Sequence, residues 1–211
     1  MQRELLTRGL QRNAFGVFLG VLGYFLNGFP LQVWNGVDCL PGPLLTYLTI
    51  GLFGTRIGVC QAAISSARTL FMWQHPWGLF IGICEAVFVG IFRSRNVPLA
   101  ASSLLFWLLP GLAVVFGIYR GHLGLSWQFA GLTFLTDFLC SLISGGLAQL
   151  FLSSGLASKL SGRLALSQQP VSLRSDAFAA FLLAAIVPLA SWLAFSGNRL
   201  RGKSELRAKA E

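Results

Sequence analysis

Seven apolar stretches, centred on residues 13–33, 40–55, 57–74, 77–92, 97–119, 127–152 and 176–196, divide the chain. Most approach the ~20 residues that an α-helix needs to cross a bilayer. In hydrocarbon the backbone must satisfy its own polar groups, so apolar segments of this length fold as helices packed in a bundle. The expected fold is all-α: a polytopic transmembrane helix bundle of about seven spans over residues 1–197, with a polar juxtamembrane tail over 198–211. Composition agrees, since 55% of the residues are apolar and 11% charged, against roughly 25% charged in soluble domains. The formal charge of +9 does not mark a nucleic-acid binder, because the 16 Lys and Arg collect mainly in the two tails and the inter-helix loops. Basic residues placed that way set membrane topology.

With the N-terminus cytoplasmic, the inner segments receive Arg3, Arg8, Arg12, Arg56, Arg93, Arg95, Lys159, Arg163 and Arg174, and the short outer loops hold only Arg120. That asymmetry is the positive-inside pattern. Trp34, Trp73, Trp77, Tyr119, Trp127 and Trp192 fall near the outer ends of the spans, where amphipathic rings prefer the interface. Arg3, Arg8 and Arg12 before an apolar run imitate a signal peptide, but no A-x-A-like site follows Phe25, so the run reads as an uncleaved first span. Seven spans put the C-terminal tail outside although it carries Arg199, Arg201, Lys203, Arg207 and Lys209. A tail that begins an exported domain reconciles the two, because long domains translocate largely regardless of charge. Leu156, Leu160 and Leu164 recur at helical spacing beside Lys159 and Arg163, which fits either a short interfacial helix or a polar linker. Pro110 and Pro188 lie inside spans and are expected to kink them. Small-xxx-small pairs at Gly16/Gly20, Gly54/Gly58, Gly78/Gly82 and Gly117/Gly121 permit close helix contact.

Arg68, Glu85 and Asp137 stand inside separate apolar runs. A charge at mid-membrane costs roughly 2.5–3.5 kcal/mol on insertion scales, and such residues face a bundle interior, pair together or mark a ligand path. At ~1.5 Å per residue each lies roughly 9–15 Å below the outer interface, with Asn27 at about the same level. These four, with His75, are the candidate ligand-binding residues. Arg68 and Glu85 belong to consecutive antiparallel runs and are expected to pair, either as glue between helices or as part of a pocket. Asp137 has no basic partner in the pattern, which favours a pocket or coupling role. Asn27 suits a helix-packing hydrogen bond. His75 and His122 read as turn residues, and Asp38 as a solvated loop residue.

Cys39, Cys60, Cys84 and Cys140 show no C-x-x-C pair, metal spacing or disulfide framework and read as buried small apolar residues. No H-E-x-x-H, G-x-S-x-G, P-loop or dinucleotide fingerprint occurs. The expectation is a non-enzyme without cofactor or metal.

The text "GLFGTRIGVCQAAISSARTLFMWQHPWGLFIGICEAVFVGIFRSR" followed by "LLFWLLPGLAVVFGIY" resembles the multi-pass N-terminal membrane sensor regions of bacterial histidine kinases and diguanylate cyclases. The shared features are L-F-G-x-R-x-G at a helix end, W-x-H-P closing a span, and E-A-x-F-V-G before basic residues. They cover about a third of the chain. Glu85 and His75 occupy the motif's Glu and His, whereas Arg68 stands where an uncharged residue is expected. The resemblance implies an input domain of the bacterial inner membrane that perceives a membrane or extracytoplasmic cue. Its partners would be the lipid bilayer, a small ligand, and a signalling output domain or partner protein beyond these 211 residues, with homodimerisation left open. The competing function is a small-solute permease or the substrate-binding membrane subunit of a vitamin or ion importer, since transporters also bind solutes inside the bundle.

Overall fold

A 25-residue helix, α1 (Gln2–Leu26), opens the chain and lies along a second long element broken in two, α3 (Thr55–Ser66) and α4 (Arg68–Trp73). The computed structural model describes residues 2–34 and 37–154, with two isolated positions, 177 and 180, beyond them. The expected seventh span with Pro188 and Trp192, the linker from 155 onward and the tail over 198–211 lie outside the described residues.

Close approach of α1 and α3 follows from glycine. A side chain at Gly16 would overlap Ile57, and one at Gly20 would press on Ile64, so this small-xxx-small pair is a true contact. Gly78 and Gly82 similarly let α5 (Trp77–Ser94) lie against Thr69 and Ser66. Gly54, with φ +90°, makes the turn from α2 (Gly42–Phe53) into α3. Nothing approaches Gly117 or Gly121, and that pair packs nowhere among the described residues.

Among the described residues three helices are long and apolar enough to cross a membrane: α5, the continuous rod Leu99–His122, and α8 (Trp127–Ser153). The rod is α6 (Leu99–Phe106) and α7 (Leu112–Phe116), each followed by a π-helical stretch, Trp107–Gly111 and Gly117–His122. Pro110 sits inside the first π stretch. The rod continues through the proline, because the wider turn absorbs its missing N–H and its ring. The second expected span is only the 12-residue α2, about 18 Å of helix at 1.5 Å per residue. The third is two short helices separated at Ala67.

Where the sequence suggested the end of the first span and an outer loop, Leu31–Trp34 (β1) and Val37–Cys39 (β2) pair as an antiparallel hairpin. Cys39 is bonded to Cys140 of α8, which corrects the reading of the cysteines as unpaired. The bond fastens the hairpin to a helix 101 residues away. Cys60 and Cys84 are free.

Among the described residues three helix starts receive a side-chain partner, two of them from another element. Asn27 Oδ1 accepts from the Gly42 N–H at 2.7 Å, so the end of α1 caps the start of α2. Gln149 Oε1 of α8 accepts from the Leu99 N–H at 3.1 Å, and Ser126 Oγ accepts from Phe129 N–H at the start of α8. Each meets an amide that a helix leaves without an internal partner.

Among the described residues two large apolar clusters, with a small third around Leu139 and Leu142, form the core. One, containing Tyr47, Ile50, Phe53, Val89, Leu99 and Leu152, lies toward the end of the bundle that carries Arg12, Arg56 and Arg93. The other, containing Ile81, Phe106, Trp107, Val115 and Tyr119, packs beneath aromatic contacts toward the opposite end, such as Trp77 on His122 and Phe116 on Trp127.

Candidate functional site

Glu85 sits at the seam between the two apolar clusters and is 6% exposed. Its Oε1 accepts from the Tyr47 hydroxyl of α2 at 2.6 Å and from the Trp107 indole Nε1 at 2.6 Å. Tyr47 shares a further 2.9 Å hydrogen bond with Ser103 of α6, and Ser141 of α8 completes the cluster beside Tyr47 and Glu85. The carboxyl group thus draws neutral donors from α2, the rod and α8. Arrangements of this kind make a buried polar group tolerable, because each lost water is replaced by a protein donor.

Above this floor is a cavity of about 60 Å³, large enough to hold water. Asn27, Glu85 and Asp137 line it together. Three of the four groups expected at one depth therefore do converge. Trp73, Trp107 and Tyr119 form aromatic wall, Ser66 and Thr69 supply hydroxyl groups, and among the described residues no Lys, Arg or His lines the space. Asp137 is partly buried against the cavity, and among the described residues no side chain donates a hydrogen bond to it. Asn27 has the packing role expected of it, since its amide nitrogen donates to Ser65 O at 3.1 Å and to Ser65 Oγ at 3.2 Å.

Arg68 and His75 stand apart. The Arg68 guanidinium lies 5.5 Å from the centre of the Tyr24 ring and beside Gly28, with its Nε buried and unpartnered. The expected Arg68–Glu85 ion pair is not formed; Tyr47 and Trp107 take the carboxyl group instead. The reason is angular: Thr69 faces the cavity, and the preceding residue points about 100° away around the helix. Its stacking on Tyr24 is a cation–π contact. His75 packs between Trp73 and Tyr119 with a buried, unpartnered Nδ1 and does not line the cavity. The sequence reading missed Tyr47, Ser103, Trp107 and Ser141. The available signal was that a Tyr hydroxyl or Trp N–H within an apolar run needs a partner. Comparison of the chain with protein-family models, curated proteins and solved structures finds no match.

Proposed function

We propose that the chain is a sensory input domain of a bacterial inner membrane, in which a small polar cue acts at the Asp137 cavity and is relayed through the Glu85 cluster. The observation that carries this reading is the cavity itself: a carboxyl group to which no described side chain donates, set over a hydrogen-bonded floor shared by four helical elements. A change in occupancy or hydration at Asp137 alters the balance of helix arrangements by its differential affinity for them. The π-helical stretch beginning at Trp107 lies at the floor, and such turns often accompany functional sites. The resemblance in the 51–119 text supports the same assignment, with an output domain or partner protein receiving the signal.

The orientation that suits this function places the N-terminus in the cytoplasm and the hairpin outside. Arg12, Arg56 and Arg93 gather at one end, and the Cys39–Cys140 bond belongs to the hairpin side, as expected where the exterior oxidises. Residues 176–196 would add the seventh crossing.

The test is a thermal-shift screen of small polar solutes and pH on the purified full chain, with Asp137→Asn in parallel. A cue that raises the Tm of the native protein by several degrees, leaves Asp137→Asn unmoved and is not taken up into proteoliposomes supports sensing. Uptake assigns a permease, and loss of folding in Asp137→Asn reduces the residue to a structural role.

A further inference from the structure

At the end of the bundle away from the hairpin, Arg93 is 9% exposed yet makes no side-chain hydrogen bond to the described residues. It lines a cavity of about 190 Å³ together with Arg12, Thr55 and Ser94. Among the described residues Arg12 donates from Nη2 to Phe53 O at 3.0 Å, while its buried Nε has no partner there. A second cavity of about 540 Å³ adjoins the first through Arg12, Phe53, Gly54 and Thr55, and it adds Arg56. Among the described residues no carboxylate lines either space.

The start of α3 reaches the same place. Gly54 precedes the helix and provides no side-chain cap, so α3 presents uncapped N–H groups and the positive end of its dipole. Two guanidinium groups, one with a buried Nε that finds no partner among the described residues, and an uncapped helix N-terminus around one space form a receptor for a tetrahedral oxyanion. A buried guanidinium without counter-charge is costly, and a bound anion removes that cost.

We propose that this pocket binds a phosphate group, supplied by the headgroup of an anionic phospholipid or by a dissolved phosphate compound. Basic pockets between helices at the cytoplasmic surface suit headgroups of that kind. The inference is independent of the sensing assignment, since it shares no residue with the Asp137 cavity.

The test uses the full chain in nanodiscs of phosphatidylcholine alone or with added phosphatidylglycerol, and Tm as the readout. Phosphatidylglycerol is expected to raise the Tm of the native protein and not that of Arg93→Gln. In phosphatidylcholine alone Arg93→Gln is at least as stable as the native protein, because it no longer holds an unpaired buried charge. Arg95→Gln, an equal charge change at an exposed site, keeps the full lipid response. A matching rise on adding inorganic phosphate to phosphatidylcholine discs assigns the anion to solution rather than to lipid. Equal behaviour of native protein and Arg93→Gln in every medium overturns the proposal. Should Arg93→Gln not fold, Arg12→Gln carries the comparison, and an undiminished lipid response in that variant overturns it equally.

Discussion

Deleting the Tyr47 hydroxyl leaves the buried Glu85 with one donor fewer, and hydrogen bonds to a group that can carry charge contribute about 1.5–3 kcal/mol. Tyr47→Phe and Trp107→Phe should each destabilise the protein by that order. Combined with Glu85→Gln, Tyr47→Phe should add less than its separate effect, because the two groups share one hydrogen bond. Chemical unfolding in detergent measures the cycle. Arg68→Ala and Glu85→Ala, by contrast, should be additive, as expected of residues whose partners are different. Glu85 and Asp137 were legible in the sequence because a carboxyl group inside an apolar run has an insertion cost that demands a reason. Tyr47 and Trp107 were not, because their rings satisfy an apolar pattern and only their polar tips do the binding. Arg68 was assigned the wrong partner because span order fixes which helices are neighbours, not which way a side chain points.

Helix-to-helix distance is where glycine matters most. Gly16→Leu should destabilise by about 1–3 kcal/mol through overlap with Ile57. Gly121→Leu, facing open space, should fall within about 0.5 kcal/mol of the native protein. Thermal unfolding of the two variants side by side checks both. Sequence identified each pair equally, since the pattern records only that residues are small and not what stands opposite. The runs over 77–92, 97–119 and 127–152 became helices close to where they were expected, whereas the first helix lies earlier than its run, at Gln2–Leu26. The short α2, the break at Ala67 and the three- and four-residue strands were hidden, because a few residues of strand or a single helical break leave no periodicity to detect.

Across the whole molecule, α8 provides the simplest test of orientation, since its two ends lie at opposite ends of the bundle. In a background lacking Cys60 and Cys84, Gln128→Cys should react with an impermeant maleimide in intact spheroplasts. Ser153→Cys should react only after lysis. The reverse pattern would invert the bundle, and labelling of both from outside would remove α8 as a crossing. Overall helicity and membrane-length segments were readable from composition and run length. The pairing of Cys39 with Cys140 was not, because 101 intervening residues leave no local spacing from which to infer it.

That covalent link gives the chain an unusual connectivity. The exposed turn at Arg95 and Asn96 lies between the two bonded cysteines, so a protease cutting there would sever the backbone without parting the molecule. The fragments would migrate as one species until a thiol reductant released them, and a nicked preparation would pass for intact on a non-reducing gel.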